Sequence, residues 1–104
     1  MLYGLKNQTI EKINQVFARY QEVEKVILYG SRAKGNHKKG SDIDLTLIGE
    51  NLNLQLLNKI SLDFDDLLLP YKIDLSIYDQ ISNSDLIDHI SRVKKSFYKK
   101  QSKF

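Results

Sequence analysis

At 104 residues, with 41% apolar side chains, the chain can build one hydrophobic core but not a second. It has no cysteine, which excludes a disulfide framework or a thiolate metal site and suits a reducing, cytoplasmic setting. Its net charge is +3, yet residues 92–104 hold six basic and no acidic residues, leaving ten basic (sixteen less six) against thirteen acidic on a mildly acidic body. A general nucleic-acid binder carries basic surface on its body as well, so direct nucleic-acid contact is not expected. No apolar run approaches the roughly 20 residues of a membrane span, and Met1-Leu2-Tyr3-Gly4-Leu5-Lys6 lacks the apolar core of a signal peptide.

The first element is predicted as a helix over residues 9–20, because Ile10, Ile13, Val16, Phe17 and Tyr20 recur at spacings of three and four. Asn7 or Thr9 is placed to cap it. Residues 25–29 form a short apolar run, β-branched at its start, and read as a buried strand ended by Gly30. Residues 31–34 suit a short helical turn stopped by Gly35, and 36–40 are loop by composition. Residues 41–48 alternate as a strand, with Asp42, Asp44 and Thr46 on one face and Ile43, Leu45 and Leu47 on the other. A leucine-rich helix is expected from about residue 53 to 68, with Pro70 just beyond it.

Residues 72–78 give a third alternating strand, with Asp74, Ser76 and Tyr78 on one side. Ser82-Asn83-Ser84-Asp85 caps a last helix whose stripe is Leu86, Ile87, Ile90, Val93 and Phe97. The expectation is an α/β (α+β) fold of order α-β-α-β-α-β-α, with helices packed on a small mixed three-stranded sheet. The link from Gly30 to Ser41 is short for a parallel crossover, so the first two strands are expected to be antiparallel. One domain over 1–98 would then be followed by a basic, disordered tail, 99–104.

The chemistry concentrates in Y-G-S-R-A-K-G-N-H-K-K-G-S-D-I-D-L, residues 29–45. Gly30-Ser31 after a strand can offer backbone N–H groups and a hydroxyl to a phosphate, and Arg32, Lys34, Lys38 and Lys39 add positive charge. Aspartate is disfavoured in strands, and two on one face more so, so Asp42 and Asp44 call for an offsetting partner. Asp74 lies in an echoing segment: Ile43-Asp44-Leu45-Thr46 matches Ile73-Asp74-Leu75-Ser76. If the two segments are neighbouring strands, three carboxylates converge on one or two divalent cations, with Mg²⁺ or Mn²⁺ favoured by all-oxygen ligands. Asp63, Asp65 and Asp66 read instead as a solvated helix end. His37 reads as a loop residue open to a phosphate or base or to no role at all, and His89 as a plain surface residue. No serine has a His–Asp arrangement that supports triad chemistry.

The elements G-S-R-A-K-G, S-D-I-D-L and K-I-D-L-S make the chain resemble the DNA polymerase beta-like nucleotidyltransferase superfamily, from the first helix to about Tyr98. Its shortness is similar to the minimal nucleotidyltransferases, antitoxin partners of HEPN-type toxins. The resemblance implies that Gly30, Ser31, Arg32, Lys34 and Ser41 bind the nucleotide. It implies that Asp42, Asp44 and Asp74 are catalytic and hold two Mg²⁺ ions, Asp74 helping to deprotonate the attacking hydroxyl. Lys34 stands where a second arginine is common, keeping the charge but not the bidentate fork. The implied reaction moves AMP from ATP to a tyrosine of the HEPN toxin. Two alternatives stand beside it: an antitoxin that neutralises by occlusion alone, and a small-molecule nucleotidyltransferase of the aminoglycoside-modifying kind.

Overall fold

A computed structural model describes residues 1–101. In chain order the elements are α1 (Asn7–Ala18), β1 (Lys25–Tyr29), α2 (Gly30–Lys34), β2 (Ile43–Ile48), α3 (Leu54–Asp66), β3 (Ile73–Ile77), α4 (Ser84–Val93) and β4 (Lys95–Lys99), with a 3-10 turn at Tyr78–Gln80. The strands form one sheet in the order β3-β2-β1-β4. β1 pairs antiparallel with β2, as the short connection predicts, and β2 pairs parallel with β3 across α3.

The sheet thus has four strands, not three. Phe97, which the helical stripe placed at the end of α4, lies in β4, and α4 stops at Val93. The spacing from Val93 to Phe97 fits a helix, but Lys95-Ser96-Phe97-Tyr98-Lys99 fits an alternating strand equally well. Tertiary context decides: the second edge of β1 carries backbone groups that need partners, and β4 supplies them in antiparallel register. Lysines at 95 and 99 then blunt the new sheet edge. The expected tail boundary therefore falls inside a paired strand. Lys99 opposes Lys25, and Lys100 donates its backbone N–H to the Glu24 carbonyl at 2.8 Å. Residues 102–104 of that tail lie outside the described part of the chain.

The core sits on one face of the sheet. Val26, Leu28, Ile43, Leu45 and Leu47 from the strands close against Ile13, Val16 and Phe17 of α1 and Ile60 and Phe64 of α3. The Phe17 and Phe64 rings meet edge to face at 5.3 Å between centroids. Asn7 and Thr9 lie within α1 rather than capping it; Lys6 holds the N-cap position without a side-chain bond. The predicted cap of α4 is present, with Asn83 accepting from the backbone N–H groups of Asp85 and Leu86. Asp63 is not merely solvated: it accepts from the Tyr20 hydroxyl and pairs with Arg19 at 3.7 Å, tying α3 to the end of α1.

The opposite face carries the polar side chains of β2 and β3 and is covered in part by α4, which packs on α2 and β1 and buries Ile90. No helix among the described residues is long and apolar enough to cross a membrane.

Candidate functional site

The parallel register of β2 and β3 sets Asp44 opposite Asp74 and Thr46 opposite Ser76. The antiparallel register of β1 sets Tyr29 opposite Asp44. One row of the sheet therefore reads Tyr29, Asp44, Asp74, each strand about 4.8 Å from the next. Asp42 is exposed and stands one residue before β2; Asp44 is half-buried and Asp74 exposed. The echo between 43–46 and 73–76 is thus an in-register pairing.

These carboxylates repel. Burial holds the Asp44 carboxyl above its usual range, and the charges of Asp74 and then Asp42 push it further, with His89 acting weakly the other way. Burial also pushes the Tyr29 phenol up; Ser76 works against this, and Asp44 and Asp74 add to it. The site is a patch of negative charge in which Asp42 and Asp74 act on Asp44 in the same direction as burial.

The turn from β1 into α2 presses against that patch. Gly30 has φ of +76°, and a Cβ there would collide with Oδ2 of Asp44. Only glycine combines this backbone angle with so close an approach. The Gly30 N–H donates to Nε2 of His89 at 3.1 Å, and the His89 ring stands edge-on to Tyr29 at 6.3 Å. His89 is therefore not a plain surface residue. It braces the corner between β1 and α2 from α4, 59 residues away in sequence, and no local pattern announces it.

The remaining predicted residues divide. Ser31 is the second residue of α2, half-buried beside Gly30, and Lys34, Lys38 and Lys39 are exposed around the following loop. The Ser41 hydroxyl accepts the Lys38 backbone N–H at 2.8 Å. Arg32 departs from its expected place: it is only 3% exposed, and its guanidinium is bonded to main-chain carbonyls. His37 packs half-buried against Gly4 of the N-terminal turn, with Nδ1 buried and unpartnered.

The side chains of Asp42, Asp44 and Asp74 do not converge as expected. Among the described residues no group of three His, Asp or Glu side chains stands ready to hold a metal ion. The register aligns the two strands at Asp44 and Asp74, while Asp42 lies outside the paired register. The residues nonetheless fit a divalent cation chemically. All donors are carboxylate oxygens, as hard cations prefer, and Asp44 is a charge that burial and its neighbours disfavour.

The family model described as polymerase beta nucleotidyltransferase matches residues 11–103. The chain belongs to this nucleotidyltransferase family. Among curated proteins none matches it in sequence. Solved structures share its fold: a toxin–antitoxin with AMP-PNP is similar at a TM-score of 0.70 and 18% identity, over 88% of this chain and 74% of that one. The toxin–antitoxin MntA–HepT is similar at a TM-score of 0.67 and 15% identity, over 92% and 74%. A complex of tri-AMPylated Shewanella oneidensis HEPN toxin with MNT antitoxin is similar at a TM-score of 0.67 and 15% identity, over 93% and 75%. At these identities the likeness is one of fold. In this nucleotidyltransferase, the family match and the row of carboxylates beside Gly30-Ser31 concern the same part of the chain.

Proposed function

We propose that this nucleotidyltransferase moves AMP from ATP to a hydroxyl, a tyrosine on a HEPN-type toxin partner, and so acts as the antitoxin in a cytoplasmic toxin–antitoxin pair. The observation that carries the reading is the opposition of Asp44 and Asp74 in register on parallel strands, with the Gly30-Ser31 turn against Asp44. The fold shared with chains solved as toxin–antitoxin complexes, one with AMP-PNP and one with an AMPylated toxin, supports the choice of nucleotide and partner.

In this reading Gly30 and Ser31 hold the triphosphate and Lys34 supplies charge at its rim. Asp42, Asp44 and Asp74 would hold Mg²⁺, two ions in the full site, with Mn²⁺ able to substitute. When bound, the cations neutralise charge on the phosphates and favour ionisation of the attacking hydroxyl. The acceptor oxygen forms a bond to the α-phosphorus, the bond to the bridging oxygen breaks, and pyrophosphate leaves. The hydroxyl proton passes to Asp74, whose exposure lets an acceptor on another molecule reach it. In-line positioning and charge neutralisation do most of the work in such a transfer; the strand row would hold the carboxylates in place for the first, and the cations they hold would supply the second.

The test is to co-express the chain with its HEPN-type partner, add Mg²⁺ and ATP, and read the partner's intact mass. Added AMP is expected, and Asp44→Asn should abolish it. A partner of unchanged mass under these conditions would overturn the reading. Neutralisation of the toxin in cells by the folded Asp42→Ala/Asp44→Ala chain would show instead that occlusion suffices.

A further inference from the structure

The arginine of G-S-R-A-K-G does not face the solvent beside the carboxylates. Arg32 is 3% exposed. Its Nε and Nη2 both donate to the Ser41 carbonyl, at 3.1 and 2.8 Å, and its Nη1 donates to the Tyr3 carbonyl at 2.8 Å. The guanidinium lies 4.9 Å from the centroid of the Tyr71 ring. One buried cation thus joins four segments: α2, the N-terminal turn, the end of the basic loop, and the approach to β3. Gly4 makes room for it, because a Cβ there would collide with His37 and crowd Nη1 of Arg32.

The segment held most firmly is the one that carries the carboxylates. Ser41 immediately precedes Asp42, and its carbonyl receives a two-pronged contact from Arg32. Ile43, on the other side of Asp42, donates its N–H to the Lys72 carbonyl at 2.9 Å, two residues before Asp74. Asp42 is therefore an exposed side chain whose two neighbours are both pinned. We propose that Arg32 is a positioning residue that fixes Asp42 at the head of β2, and not a phosphate contact. The inference rests on the reading of Asp42 and Asp44 as metal ligands. A lysine cannot replace this arginine, since an ammonium cannot reproduce the planar fork and the stacking together.

The test compares wild type with Arg32→Lys and the milder Tyr71→Leu, well below their melting temperatures. Mn²⁺ alone is titrated by calorimetry, then AMP-PNP at saturating Mn²⁺, and amide exchange is followed over residues 40–43. The expected result for Arg32→Lys is Mn²⁺ affinity lower by about tenfold, the usual lower bound for losing an outer-shell partner. Exchange at 40–43 should rise, and AMP-PNP affinity at saturating Mn²⁺ should stay within about twofold of wild type. Tyr71→Leu should move Mn²⁺ affinity and exchange in the same direction by less, and it serves alone if Arg32→Lys does not fold. Unchanged Mn²⁺ affinity together with weakened AMP-PNP binding would overturn the proposal and restore a phosphate role. If wild type binds no Mn²⁺, the metal reading of the site fails, and exchange alone decides: a rise at 40–43 supports the clamp and no rise overturns it.

Discussion

The backbone N–H of Gly30 is bonded to the imidazole Nε2 of His89, so the corner that presses on Asp44 is held from behind by the last helix. A neutral hydrogen bond of this kind contributes about 1 kcal/mol net. His89→Ala should therefore lower stability by about that amount, and His89→Gln, which keeps an acceptor, by less. Thermal denaturation of the metal-free chain checks both. Equal losses would show that the acceptor is not what matters.

Gly30→Ala meets two obstacles at once. The left-handed backbone angle costs an alanine about 1–2 kcal/mol, and the new methyl group collides with the Asp44 carboxylate. The side chain can swing away, but only by leaving its place opposite Asp74. A modest loss of melting temperature with a loss of AMP transfer of at least about a hundredfold, or 2.7 kcal/mol, is expected from displacing a reacting geometry. Parallel melting and transfer assays would show it; transfer that tracks stability alone would contradict it.

Asp44 makes a pH prediction. Its carboxyl is held above the usual carboxylate range by burial first and by Asp74 and Asp42 next. A group that binds its proton more tightly in the folded state adds stability as pH falls through its folded pKa, and the gain levels off below the unfolded one. At neutral pH the ionised Asp44 is therefore a net cost to the fold. Asp44→Asn should raise the melting temperature of the metal-free chain at pH 7 by about 4 °C, if the gain is the common ~1 kcal/mol of a stabilising substitution. The difference should shrink as pH falls toward the ordinary carboxylate range. A mutant no more stable than wild type at pH 7 would refute this.

Two substitutions away from the carboxylates should move stability in opposite directions. Thr46 is fully buried and its hydroxyl has no partner. Thr46→Val keeps the shape and removes an unsatisfied polar atom, for a gain of about 1 kcal/mol. Gly49 has no room for a methyl group, because the obstacle is the backbone carbonyl of Glu22. Gly49→Ala should lose about 1–3 kcal/mol, the usual cost of forced overpacking. Denaturant titration of both variants reads the two signs directly.

The chain's local patterns carried most of the fold. The 3.6-residue stripe of α1, the alternation of β2 and β3, and the Asn83 cap are properties of neighbouring residues, and short-range physics sets them. The same holds for Gly30 ending β1 and for the repeated Ile-Asp-Leu segments, which identified Asp44 and Asp74 before their register was seen. Wherever two readings were locally equal, the sequence could not choose. Lys95–Lys99 suited helix and strand alike, and the open edge of β1 decided for a strand.

The same limit separates the two kinds of charged residue around residues 29–45. From sequence, Arg32 and Lys34 were both sources of positive charge for a phosphate, and His89 had no visible tie to Gly30. The tertiary structure buries Arg32 against the Tyr3 and Ser41 carbonyls, leaves Lys34 in solvent, and brings His89 across 59 residues. Sequence by itself determined which groups could act: the aspartates, the glycine-serine turn and the cations. Only the packed fold decided which of them stay exposed and which hold the chain in shape, because burial and long-range hydrogen bonding exist only once distant segments meet.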